Sequence, residues 1–151
     1  AFNKVKDGTS YTQVQCRANM RTIAFACQLY KEEKGSWPDS KSWNDLVKPY
    51  TGDEKFFRCY IDKTGPCSYA MNENIPADAN DLPPDLVVLF ESTPGWNQTG
   101  GPEDVVTDRH DKNRPGANIA FADGHVDFNG ADKIQSLQWT IEAQPSVAGG
   151  K

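Results

Sequence analysis

The chain has 151 residues, 16 basic and 21 acidic, for a formal charge of −5. Binding nucleic acid through its phosphates needs clustered Lys and Arg, and only short basic pairs occur here, which excludes that class of partner. One domain is the natural count at this length, and no run of about eighteen apolar residues is present to cross a membrane.

From Val5 to Lys34, Cys16, Met20, Ile23, Cys27 and Tyr30 recur at spacings of four and three, which draws one apolar stripe down an α-helix. Ala18, Ala24, Ala26, Leu29 and Lys31 favour the same state. Gly35, with Lys31 and Lys34 in the last turn and Pro38 beyond, predicts the stop. Ser10-Tyr11-Thr12-Gln13 reads as a capping box, and a start near Asn3 is equally compatible. Counted from residue 3, this helix would span about 48 Å, longer than the roughly 38 Å diameter of a compact domain of this size. Two readings fit: a spine with a projecting start, or an ordinary core helix with a frayed one.

Next, Ser42-Trp43-Asn44-Asp45-Leu46-Val47 predicts a short helix with Ser42 as N-cap, limited by Pro49. Ser68 to Met71 fits a short strand. Leu86 to Phe90 is five apolar residues in a row, the mark of a central strand buried on both faces. Residues 92–115 read as a long surface excursion. Ala117 to Ala122, then Asp123-Gly124, then His125 to Phe128 predict a hairpin with a two-residue type I′ turn and Gly124 at φ > 0. Ala131 to Trp139 predicts a short helix turning Ile134 and Leu137 inward. The fold class is thus α+β: a long N-terminal helix on a small antiparallel sheet (86–90, 117–122, 125–128), a loop-rich middle and a short C-terminal helix. Residues 144–151 are expected to be disordered.

Cysteine chemistry is bounded by distance. Cys16 and Cys27 are eleven residues apart on one helix, about 16 Å, and cannot bond each other. Cys59 and Cys67 bracket Gly65-Pro66, so their pairing is the expected disulfide, with Cys16–Cys59 the competing pair and free thiols the remaining alternative. The two histidines stand among carboxylates. His110, Asp123, His125 and Glu91 could form a metal-dependent hydrolase site. Asp104, Asp108 and Asp111 supply oxygens suited to calcium, without EF-hand spacing. No Gly-x-Ser-x-Gly and no phosphate-cradling loop occurs. Trp37, Trp43 and Trp96 offer a third reading, a binding head with an exposed aromatic platform for carbohydrate or protein.

Three stretches together resemble bacterial type IV pilin-like proteins and secretion pseudopilins with a C-terminal His-x9-Asp-Gly domain. They are Phe2 to Tyr30 with Trp37-Pro38; Cys67 to Asn72 with Leu89-Phe90-Glu91 and Trp96-Asn97; and Arg109-His110 with Gly116 to Val126. The sequence departs from the family pattern in two places. Twelve residues separate His110 from Asp123, and the apolar anchor and prepilin peptidase site do not appear before Phe2. The second departure fits a chain cut just after its membrane helix.

The resemblance implies a non-enzymatic structural subunit, without a cofactor, of a type II secretion pseudopilus or type IV pilus. It would be processed by a prepilin peptidase, handled by the inner-membrane assembly platform, and packed against other subunits through its N-terminal helix. The head would face the periplasm or cell surface. It further implies a spine over 1–34 and a head over 35–143, with Glu91, His110, Asp123 and Gly124 holding sheet and loop together.

Overall fold

The computed structural model describes residues 11–62 and 64–141. Helix α1 covers Tyr11–Lys34 and α2 covers Trp43–Thr51. The strands are β1 (Tyr69–Asn72), β2 (Val87–Glu91), β3 (Thr99–Gly100), β4 (Gly116–Phe121) and β5 (Val126–Gly130). Short 3₁₀ turns occupy Ser40–Ser42, Glu54–Phe57, Pro102–Asp104 and Ala131–Ser136.

Cys16, Met20, Ile23 and Cys27 of the α1 stripe are fully buried, while Tyr30 sits at the edge against Tyr50 with ring centroids 5.9 Å apart. The helix stops where expected: Gly35 takes φ +88, and its N–H donates to the Lys31 carbonyl at 2.8 Å. At 24 residues α1 is about 36 Å long, the reach of an ordinary core helix rather than of a spine outspanning the domain. The long-spine expectation is corrected accordingly. The capping box at Ser10 and a start near Asn3 lie outside the described residues. No helix among those residues is long and apolar enough to cross a membrane.

One sheet carries the strands in the order β3-β1-β2-β4-β5. The central place of β2 follows from its unbroken apolar run, buried at all five positions. Its pairings with β1 and β4, and that of β4 with β5, are antiparallel. The sheet is nevertheless mixed, which corrects the purely antiparallel expectation. After β2 the chain reverses through 92–98, and β3 runs parallel to β1 at its outer edge. Only Thr99 and Gly100 make up β3, so no hydrophobic pattern announces it.

Both faces are covered. On one face Tyr69, Met71, Leu89 and Val126 pack with α1 and α2; on the other Ala70, Val87, Phe90 and Ile119 pack with Ile134 and Trp139. That second layer is not the predicted short helix. The segment is a 3₁₀ turn ending at Ser136, after which Leu137 is extended. The Val87 N–H donates to the Gln138 carbonyl at 2.8 Å, and Asn72 Nδ2 donates to the Trp139 carbonyl at 2.9 Å. These bonds hold 137–139 extended beside the start of the central strand β2, with Gln138 in a parallel bridge to Leu86.

The start of α2 is capped from a distance. Ser42 occupies the N-cap position but makes no side-chain cap bond. Asn97 Oδ1 instead accepts from the Asn44 and Asp45 N–H groups at 2.8 and 3.3 Å. That oxygen satisfies two of the orphan donors of the first turn.

Candidate functional site

Glu91 ends β2 with its carboxylate in the interior, wholly shielded from solvent. Its Oε1 accepts the Asn118 N–H of β4 at 2.7 Å. Its Oε2 stands 2.5 Å from His110 Nε2 and 3.7 Å from the Arg109 guanidinium. A buried carboxylate is tolerated only when paired and hydrogen-bonded, and here both oxygens are engaged. His110 Nδ1 lies 3.1 Å from Thr12 Oγ1 on α1. Arg109 donates to the carbonyls of Ser68 (3.2 Å) and Ser92, and its guanidinium lies 3.7 Å from Asp62. One arginine and one histidine thus fasten the 101–115 loop to β1, β2 and α1.

Two sulfurs complete this centre. Cys16 of α1 is disulfide-bonded to Cys59, with the α-carbons 5.5 Å apart. The expected Cys59–Cys67 bond is therefore replaced by its competitor. The stripe of α1 turns Cys16 toward the chain that follows the Glu54–Phe57 turn, whereas Cys67 faces Asn44 Nδ2 at 3.5 Å. Cys27 and Cys67 are free and buried. Burial pushes the Cys67 thiol up to about 11, against smaller opposing effects of the Tyr69 backbone, Asn44 and Arg109, and pushes Cys27 higher still. Both are inert core sulfurs. The Cys16 and Cys59 sulfurs, a Glu91 oxygen and a His110 nitrogen all lie within 4.8 Å of one another.

Asp123, Gly124 and His125 are elsewhere. Asp123 sits at the hairpin beyond Phe121, the partner of Val87, while Glu91 closes the other end of β2. Four residues of strand, about 13 Å, separate the two ends. The four hydrolase candidates therefore split into two pairs and do not converge on one site. The hairpin is also not a two-residue type I′ turn. Phe121 and His125 bond across a three-residue connection, Asp123 keeps negative φ, and only Gly124 is positive at +97. That is a three-residue loop with glycine in the left-handed position. His125 stacks on Phe121 at 4.4 Å, and its Nδ1 lies 2.5 Å from Asp123 Oδ1 at the surface.

The calcium candidates serve the backbone. Asp104 Oδ2 accepts the Gly101 N–H at 2.9 Å and Asp111 Oδ1 accepts the Asn113 N–H at 2.9 Å. With Asp108, they stand outside the converging group. Nor do the tryptophans form a platform. Trp37 and Trp43 are buried, and Trp96 packs edge-on against Phe57 at 5.4 Å. A groove of about 480 Å³ between α1 and the 80–82 loop is lined by Phe25, Gln28, Lys31, Trp37 and Leu82, and by neither histidine.

From the sequence, Glu91 and His110 stand out, Cys16 enters as core and only as the competing partner of Cys59, and Arg109 and Thr12 carry no role of their own. Adjacent basic residues in a long polar loop were the available signal for Arg109. Compared with protein-family models, with curated proteins and with solved structures, the chain matches none.

Proposed function

We propose that this chain is the folded head of a non-catalytic structural subunit of a pilus-like or secretion-pseudopilus fibre. It would be anchored in a bacterial inner membrane, with the head in the periplasm or at the cell surface. Neighbouring subunits would meet it through the N-terminal helix, after processing by a prepilin peptidase and delivery to the assembly platform. The observation that carries this reading is the interior position of Arg109 and His110, whose polar atoms are spent on Glu91, Ser68, Ser92 and Thr12. Groups committed in this way fasten a loop and leave no cleft in which to meet a substrate. The resemblance of Arg109-His110 and Gly116 to Val126 to the His-x9-Asp-Gly pseudopilins gives the same direction. Tyr11 and Phe25 stand half-exposed on α1 and supply apolar contacts for a neighbouring helix.

A crosslinking experiment in cells tests the proposal. Arg21→Cys places a reactive thiol on an exposed turn of α1, while Cys27 and Cys67 are shielded and give no background. A bis-maleimide should yield a crosslinked dimer, the limit for one reactive thiol per chain, and adding Phe25→Lys should abolish it. A single monomer band from Arg21→Cys overturns the reading.

A further inference from the structure

We propose that the Cys16–Cys59 disulfide masks a closed zinc site, formed when the bond is reduced and completed by Glu91 and His110. Four donors come from four parts of the fold: α1, the chain after the Glu54–Phe57 turn, β2 and the 101–115 loop. All four donor atoms lie within 4.8 Å of one another. Around tetrahedral zinc, with bonds of about 2.0–2.3 Å, ligand atoms stand about 3.3–3.8 Å apart. The Glu91–His110 contact of 2.5 Å thus needs to open by only about 0.9 Å.

The donor set selects the metal. Two thiolates with an imidazole and one carboxylate suit a borderline-soft ion such as zinc, and do not suit calcium or magnesium. Four protein ligands and no solvent-facing position make the site structural rather than catalytic. Supporting groups are already in place. With Nε2 on the metal, the His110 Nδ1–H donates to Thr12 Oγ1, now 3.1 Å away, and the Asn118 N–H holds Glu91 Oε1 at 2.7 Å. Zinc with two thiolates and one carboxylate leaves one negative charge. Arg109, 3.7 Å from Glu91, offsets it while also facing Asp62 at 3.7 Å.

The chemistry balances with a dithiol donor. It passes two electrons and two protons to the Cys16–Cys59 bond and becomes a cyclic disulfide. Two thiols result, and each gives up its proton as its sulfur binds the metal. The helix would then be tied to the chain after the Glu54–Phe57 turn by a covalent bond under oxidising conditions and by an ion under reducing ones.

The test is a cobalt titration of the purified chain, reduced with dithiol and desalted without oxygen. One Co²⁺ per chain should bind, with thiolate-to-cobalt charge-transfer bands and the visible bands of a tetrahedral site, and Zn²⁺ should displace it. Oxidised chain should show neither set of bands, and Cys27→Ala/Cys67→Ala should behave as the unaltered chain does. Glu91→Gln and His110→Gln should each weaken binding at least about tenfold while keeping the thiolate bands, and Thr12→Val should weaken it about tenfold. The proposal is overturned if the reduced chain keeps its native circular dichroism and shows no bands, or if the bands survive Cys16→Ser. A reduced chain that unfolds and is not refolded by cobalt overturns it as well.

Discussion

Two carboxylate–histidine pairs stand near opposite ends of β2, and both are 2.5 Å long. Glu91 and His110 have no solvent exposure in either side chain, whereas Asp123 and His125 are 44% and 41% exposed. Identical chemistry therefore does different work. Inside, every lone pair and proton lost from one partner strands another that water cannot reach, so the pair fixes three elements at once. Outside, water competes for both members and the pair trims a turn.

Removing one acid from each pair gives the widest separation. Glu91→Ala leaves Arg109, His110 and the Asn118 N–H facing a void and should cost about 3–5 kcal/mol in urea unfolding. Asp123→Ala should cost no more than about 1 kcal/mol. Equal losses would mean that burial does not separate the two ends. Next comes the staple beside the buried pair. Cys16 and Cys59 are 43 residues apart, and in the chain-entropy model a loop of that size stabilises by about 4 kcal/mol, against roughly 2.5 for the nine-residue loop of the rejected pairing. Cys16→Ala/Cys59→Ala should lower stability by up to that amount, while Cys67→Ala, which breaks no covalent bond, should lose only its packing. A double variant as stable as the parent would show that the buried end holds without its staple.

At the exposed end the backbone matters more than the ion pair. Gly124 takes φ +97, and a Cβ there would come within 3.0 Å of the Gln28 amide nitrogen. A flexible side chain can yield, so the backbone conformation sets the cost of Gly124→Val at about 1–2 kcal/mol. That exceeds the effect of Asp123→Ala. The order would reverse if the side-chain pair, rather than the left-handed glycine, held the turn.

What could be read from the chain divides along the same line. The α1 stripe, its stop at Gly35, the buried run of β2 and the positive φ of Gly124 are local consequences of spacing or of a missing Cβ. They were legible. Cys16 was legible as core but only as the second choice of partner for Cys59, because periodicity says which face is buried and not what it meets. Asn97 capping α2 from 53 residues away, and Gln138 straightening the C-terminal turn, are likewise long-range contacts without a local signature. The mixed sheet escaped for a related reason, since β3 is too short to carry a pattern. At the candidate site, Glu91 and His110 stood out as titratable residues in apolar or loop surroundings. Only the fold could separate them from Asp123 and His125.

The exposed pair retains one measurable trait, its response to acid. Burial works to raise the Asp123 carboxyl, yet hydrogen bonds from the His125 backbone and ring outweigh it and hold the group below the ordinary carboxylate range. A group depressed in the folded state stabilises above its unfolded value, about 3.9 for aspartate, and loses that contribution as pH falls through its folded value. Asp123→Asn keeps the shape of the side chain and removes the titration. The parent should therefore melt above Asp123→Asn at neutral pH, and the gap should close as the pH falls below about 4. Water screens this surface pair, so the gap should be the smallest of the effects described here. A gap that stays constant from neutral pH down to pH 3 would mean that the carboxylate's charge contributes nothing to the hairpin, which would leave Gly124 alone holding the turn.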